Sequence, residues 1–311
     1  MRFLVSIHLA TVPTRRPTSR MLEKSYVDED ELPSGTRLAR TPPEEPQDVV
    51  PSIETATPHA DTPRPPIWVD TAWAVRDMLR AFCDLPAQPP RTLYVDLEGV
   101  RLSRHGSISL LQLWIPQHAQ AFVVDIHTLG AQAFDTAFED RLTLRLVLES
   151  KFVAKYFFDV RNDSDALFAH FGIRLAGVVD VQLLEMACRT GARDKVKSLA
   201  HCIEEAQVLS QTEAQRWVDR KEKVVHMFDS SYGGSYEVFN ARPLDPLLLE
   251  YCVGDVTILS TLAASYTEKL TEQWVEQVRV ESARRVDASQ QHGYLPQGPH
   301  KAYGPSAWRP A

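Results

Sequence analysis

Five residues in this chain have types and spacings suited to chemistry on a phosphate. Asp96 and Glu98 follow the apolar run Leu93-Tyr94-Val95, one residue apart. In a strand, positions i and i+2 share a face, so the two carboxylates converge. Charges at the end of a buried strand are costly unless something neutralises them, and a divalent cation is one solution. The other is a strand that ends at solvent, with both acids as surface groups. Tyr251 and Asp255 are four residues apart, on one face of a helix, inside the apolar surroundings Leu247-Leu248-Leu249 and Val256-Thr257-Ile258-Leu259. The helical pattern continues on both sides of Asp255, which argues against a cap. A tyrosine one turn earlier can orient a water or take part in proton transfer. Asp163 comes from the cluster Asp159-Val160-Arg161-Asn162-Asp163-Ser164-Asp165, four residues before Leu167, whose side chain can anchor the helix and fix that acid's direction. A capped surface helix explains this cluster nearly as well. Four acids around two divalent ions can activate water and stabilise the leaving oxygen of a phosphodiester. Such oxygen ligands favour Mg²⁺ or Mn²⁺. The four cysteines, at 83, 188, 202 and 252, form no close pair of the zinc or redox kind and read as free thiols.

The elements that must position these acids are legible in the hydrophobic pattern. Apolar positions 72, 75, 78, 79 and 82 predict a helix capped by Thr71 or Asp70. Residues 92–98, 109–115 and 121–125 read as three strands and 131–148 as mostly helical. A fourth strand is expected over 151–158, a helix over 162–171, a short strand over 178–180 and a helix over 182–189. The remainder is helical at 196–202, around 214–223, and in one long run from Pro246 to about Arg285. Gly233-Gly234 is read as a flexible turn. Strands followed by alternating helices and strands imply an α/β fold with a mixed sheet. Residues 1–66 hold 11 of the 21 prolines and read as an irregular N-terminal arm. One catalytic domain is expected over 67–286, and an extended tail over 287–311.

The 311 residues carry a formal net charge of -7 and 44% hydrophobic residues. A sizeable core is allowed, and a protein that grips nucleic acid over its whole surface is disfavoured. A local basic strip beside a carboxylate centre remains compatible. No apolar run is read as long enough to span a bilayer, and the expected location is intracellular, in cytoplasm or nucleus. Met1 to Met21, with four arginines and no acid, has something of a mitochondrial leader's composition but makes a poor amphipathic helix.

Together these segments resemble the DEDD superfamily of 3'-5' exonucleases, in its DEDDy branch. Tyr94-Val95-Asp96-Leu97-Glu98 is similar to the first family motif and Asp163-Ser164-Asp165-Ala166-Leu167 to the second. Tyr251-Cys252-Val253-Gly254-Asp255-Val256 resembles the third. The stretches at 107–113, 179–184 and 242–244 resemble ribonuclease D-like members, and 159–167 resembles the branch containing Egalitarian and the exonuclease-domain-containing proteins. Phe158 departs from the His that many ribonuclease D-like proteins carry there. The resemblance implies a ribonuclease H-like fold in which Asp96, Glu98, Asp163 and Asp255 hold two Mg²⁺ or Mn²⁺ ions and Tyr251 positions the attacking water. It implies release of nucleoside 5'-monophosphates from the 3' end of single-stranded nucleic acid, RNA favoured over DNA. Arg101, Arg104, His105, Arg161, Arg193, Lys195 and Lys197 are candidate nucleic-acid contacts, each weighed against an ordinary solvated role; Lys221 and Lys223 lie in a charged helical region, and Arg242 fits a structural ion pair. The alternative is a catalytically weak RNA-binding adaptor that keeps the fold, with a protein partner engaged through the flanking arms. A phosphatase or nucleotide hydrolase is a third reading, which lacks a phosphate-binding glycine loop. Oligomeric state cannot be read from these residues.

Overall fold

The computed structural model describes residues 64–85 and 91–309. The N-terminal arm before Arg64, with its leader-like start, lies outside the described residues. β1 (Ile67–Val69) precedes α1 (Ala72–Cys83), whose first turn is capped by the Thr71 side chain accepting from the Ala74 N–H. β2 (Thr92–Glu98), β3 (Leu110–Ile115) and β4 (Gln120–Asp125) form an antiparallel meander. Three short helices follow, α2 (Ile126–Leu129), α3 (Gln132–Asp135) and α4 (Leu144–Glu149). Then come β5 (Ala154–Phe157), α5 (Arg161–Phe171), β6 (Val178–Asp180) and α6 (Val181–Cys188). The rest is helical: α7 (Leu199–Ala206), α8 (Gln211–Phe228), α9 (Pro246–Thr267) and α10 (Glu272–Ser289).

The six strands are ordered β1-β4-β3-β2-β5-β6, with β1 parallel to β4 and β5 parallel to both β2 and β6. This is the mixed α/β sheet that the pattern implies. Strand alternation sorts β2 between two cores. Leu93, Val95 and Leu97 join Val75, Met78, Leu79, Phe134 and Val147 on one side, while Tyr94 joins Val256, Leu259 and Leu262 of α9 on the other. Asp96 and Glu98 share the Tyr94 face by the same alternation, which aims them at the helix that carries Asp255.

Three expectations are corrected, and one strand is added. The 131–148 helix is broken at residues that prefer other conformations: Thr136 closes α3, Arg141 takes φ 66°, and Thr143 recaps α4. The run from Pro246 is two helices, because Thr271 accepts from the Trp274 N–H and starts α10 afresh. β1 was too short to show a period. By length and composition α9 is long and apolar enough to cross a membrane, contrary to the sequence reading; half of that stretch is buried, because the helix packs on the sheet.

Past Ser289 the chain is irregular apart from 3₁₀ turns at Pro299–Ala302 and Ser306–Trp308. It is docked, not free: the Val196 N–H donates to the Ala302 carbonyl and the Gly304 N–H to that of Asp194. A side chain at Gly304 would come within 2.5 Å of the Met186 thioether and 2.8 Å of the Arg193 carbonyl, so only glycine fits this approach.

Asp180 ties the parallel half of the sheet to α5, α6 and α10. Its fully buried carboxylate accepts the N–H groups of Asp159, Val160 and Gln182 and a 2.7 Å ion pair from Arg285. We expect Asp180→Ala to leave Arg285 with only a 3.8 Å pairing to Asp159 and to strand three donors, costing about 3–5 kcal/mol. Urea unfolding of the two proteins checks this, and a loss below about 1 kcal/mol would contradict it.

Candidate active site

The first two acids stand at the end of β2, where the chain turns sharply. The Ser109 N–H closes on the Glu98 carbonyl at 2.8 Å and the Ser107 N–H on that of Val100 at 2.9 Å. A Cβ at Gly99 would lie 2.0 Å from the Ser107 carbonyl oxygen, so this turn too needs glycine. Asp96 and Glu98 are half-buried, and Asp163 and Asp255 are buried. Asp163 lies in the first turn of α5 and Asp255 in the middle of α9.

The fields of these groups overlap. Burial, then the Asp255 charge, pushes the Asp96 carboxyl up to about 7. Burial raises Glu98 well above the ordinary range, reinforced by Asp96, Asp255 and Asp163. Asp163 is raised by burial and by Asp96. Asp255 is raised by burial and drawn partly back by the Lys221 ammonium, the Tyr251 hydroxyl and the Trp217 indole. Tyr251 is held a phenol by burial and by Asp255, Glu98 and Asp96, so its hydroxyl keeps a proton to donate. Lys221 stands 3.7 Å from the Asp255 carboxylate and over the Tyr251 and Trp217 rings, at 5.6 and 4.7 Å. Its place opposite the acids shows only once α8 packs on α9; in sequence it is one cation of a charged helix.

Oxygen donors of this kind suit Mg²⁺ or Mn²⁺. One oxygen each of Asp163 and Asp255 is buried without a hydrogen-bond partner, as a ligand awaiting a cation would be. Against this, among the described residues no three His, Cys, Asp or Glu side chains are gathered closely enough to hold a metal ion. The expected four-acid cradle is therefore shared in field and not closed in geometry.

Several candidate nucleic-acid contacts hold partners within the protein. Arg104 pairs with the buried Asp165 at 2.6 Å and donates to the Ser289 and His292 carbonyls. Arg161 pairs with Asp159 and donates to the Lys301 carbonyl. Arg193 donates to the end of α6 at Met186, Ala187 and Arg189 and lies over the Trp274 ring. Lys197 bridges Glu185 and Glu205. Arg101, His105 and Lys195 are exposed. Arg242 is the structural partner of Asp125. The four cysteines, all among the described residues, form no disulfide.

A mixed sheet with helices on both faces and acids at the end of its second strand defines the ribonuclease H-like fold of the DEDD exonucleases. Residues 66–271 match the 3'-5' exonuclease family, and the chain belongs to that family. It is 28% identical over 184 residues to the human protein named piRNA biogenesis protein EXD1. That match takes in 57% of this chain and 32% of the human one, so this chain spans about a third of its relative's length. Among solved structures it is similar to Trypanosoma brucei RNase D in complex with RNA U12, at TM-score 0.57 and 20% identity over 78% of this chain and 76% of that one. Escherichia coli RNase D, an exoribonuclease involved in structured RNA processing, gives TM-score 0.50 and 18% identity over 73% and 51%. At such identities the likeness is one of fold.

The electrostatics make a pH prediction. A carboxylate whose folded value exceeds its unfolded one binds its proton more tightly in the native state. Its contribution to stability is therefore complete below the unfolded value of 3.8 and lost as pH rises towards 7. At pH 8 in chelator, Asp96→Asn should raise the melting temperature by about 2–4 °C, equivalent to about 1 kcal/mol. Saturating Mn²⁺ should narrow that gap by stabilising the wild type more. An Asn variant no more stable than wild type in chelator would contradict it.

Proposed function

We propose that this chain binds the 3' end of single-stranded RNA over Asp96, Glu98, Asp163 and Asp255, as a weakly catalytic member of its family. The observation that carries this reading is that all four acids are present and their charges interact, yet among the described residues no three His, Cys, Asp or Glu side chains are grouped to hold a metal ion. The name of the human relative, a piRNA biogenesis protein, supports an RNA-directed role, and the RNA complex of the trypanosomal RNase D supports RNA as the polymer. Preference for a single strand follows from the need for a frayed terminal nucleotide to reach a half-buried site. A protein partner engaged through the flanking arms belongs to the same reading.

A second reading, an efficient 3'-5' exonuclease releasing nucleoside 5'-monophosphates, is favoured by the unpartnered oxygens of Asp163 and Asp255. Two bound Mg²⁺ or Mn²⁺ ions would supply an activated water and shield the leaving oxygen. The four acids would hold them. The chain's own further contribution is the Tyr251 phenol, kept protonated to orient a water, with Lys221 beside it offsetting the acids' charge.

Matched 3'- and 5'-end-labelled RNA and DNA, incubated in Mg²⁺ or Mn²⁺ with wild type and Asp96→Ala, separate the readings. The proposal expects RNA to bind more tightly than DNA, with mononucleotide release below about 1 s⁻¹, the lower end of ordinary turnover. Faster release from the 3' end that Asp96→Ala abolishes would establish the second reading. No RNA binding would overturn the proposal, and no release from either RNA or DNA the second reading.

A further inference from the structure

The C-terminal segment lies beyond the stretch that matches the exonuclease family, which ends at residue 271. It nevertheless brings a cation to the helix turn that carries Asp163. Lys301 is half-buried, and its ammonium donates to the Asn162 side-chain oxygen at 2.6 Å and the Tyr294 hydroxyl at 3.1 Å. Both acceptors are neutral. Among the described residues no carboxylate comes within ion-pair distance of it, although Arg161, one turn away, is fully paired with Asp159. At longer range its charge is felt by Asp159 and, more weakly, by Asp163. Burial pushes the amine down to about 8, which leaves it mostly charged at neutral pH.

A cation partly withdrawn from water, with carboxylates only beyond ion-pair distance, gains when an anion makes direct contact with it. An ammonium has three donors, and two are committed here. The surroundings hold it rigidly. Lys301's own carbonyl accepts from Arg161, and the Tyr294 ring is shared by the Lys301 ammonium and the Arg104 guanidinium, 5.8 and 5.5 Å from its centre. Arg104 in turn belongs to the loop that follows Glu98 and is anchored on Asp165. The lysine is thus fixed between the Asn162–Asp163 turn and the loop after the first acid pair.

We propose that Lys301 is a phosphate-binding residue, its third donor meeting a phosphodiester of the nucleic-acid strand bound over the four acids. The inference rests on the RNA-binding reading above and adds a contact from outside the family's matched stretch. Lysine suits this duty because it offers a point charge with little demand on sequence, so the contact adds affinity and register without base preference.

The test is binding, read without turnover. A short fluorescent single-stranded RNA with a non-hydrolysable 3'-terminal linkage is titrated with full-length wild type, Lys301→Met and Lys301→Arg between about 50 and 200 mM KCl. The proposal expects Lys301→Met to weaken binding about tenfold and to flatten the logarithmic salt dependence by about 0.7, the loss of one phosphate contact on a single strand. Lys301→Arg should keep the wild-type slope. Tyr294→Phe, which removes one of the two acceptors, should weaken binding about two- to threefold and serves if Lys301→Met does not fold. Inorganic phosphate and a nucleoside 5'-monophosphate are run as competitors. Displacement of the RNA contact by wild-type-selective competition at micromolar mononucleotide would mean that the site holds a free product, and would overturn the polymer assignment. A folded Lys301→Met with wild-type affinity and slope overturns the inference alone, whereas a wild type that binds no RNA removes the reading on which it rests.

Discussion

Like charges brought to one place repel, and much of this architecture serves to hold four carboxylates near each other all the same. Asp96 and Glu98 cannot leave the face of β2 that holds Tyr94, because a shift of one residue would turn Val95 and Leu97 out of their core. Asp255 is fixed by α9, packed through Val256, Leu259 and Leu262, and Asp163 by the anchoring of Val160 and Asp159 on Asp180. None of these supports touches the acids. The core supplies the free energy, and the raised values of all four carboxyls record what their burial costs. Lys221 is the nearest offset, but one ammonium cannot balance four acids.

The strand ends were legible because they obey a short rule. A period of two puts Asp96 and Glu98 on one face, and the interval of four puts Tyr251 and Asp255 on one helix side; both come straight from residue spacing. Asp163 was the weak member, since nothing local separates it from Asp159 and Asp165. Only tertiary partners do so: Asp159 is paired with Arg161, Asp165 with Arg104, and Asp163 alone of the three keeps an unpartnered oxygen. The cations show the same limit. Arg104, Arg161, Arg193 and Lys197 look alike in sequence to any surface cation, but each holds a partner that only the fold identifies.

What the pattern could not show was the end of the chain. Glycine, proline and glutamine after Asp287 carry no period, and an aperiodic segment reads as an extended tail. Its order comes instead from single contacts: Gly304 against Met186, backbone bonds to Asp194 and Val196, and Lys301 on Asn162. These attach it to α6, to the segment before α7 and to α5, elements that are far from it in sequence. Local pattern is blind to docking of this kind.

The docking also changes how α5 should be understood. A helix normally satisfies its first N–H groups with a side chain just before it, yet Val160 offers none, and α5 has no side-chain cap of its own. Asp180 of the neighbouring strand takes the N–H groups of Asp159 and Val160 from below. Arg161 and Asn162, the next two residues, are gripped from the other side by Lys301. The turn that presents Asp163 is therefore assembled by β6 and the C-terminal segment together. Its geometry depends on residues on both sides of residue 271, and a chain ending there would keep all four acids while losing half of what aims the third.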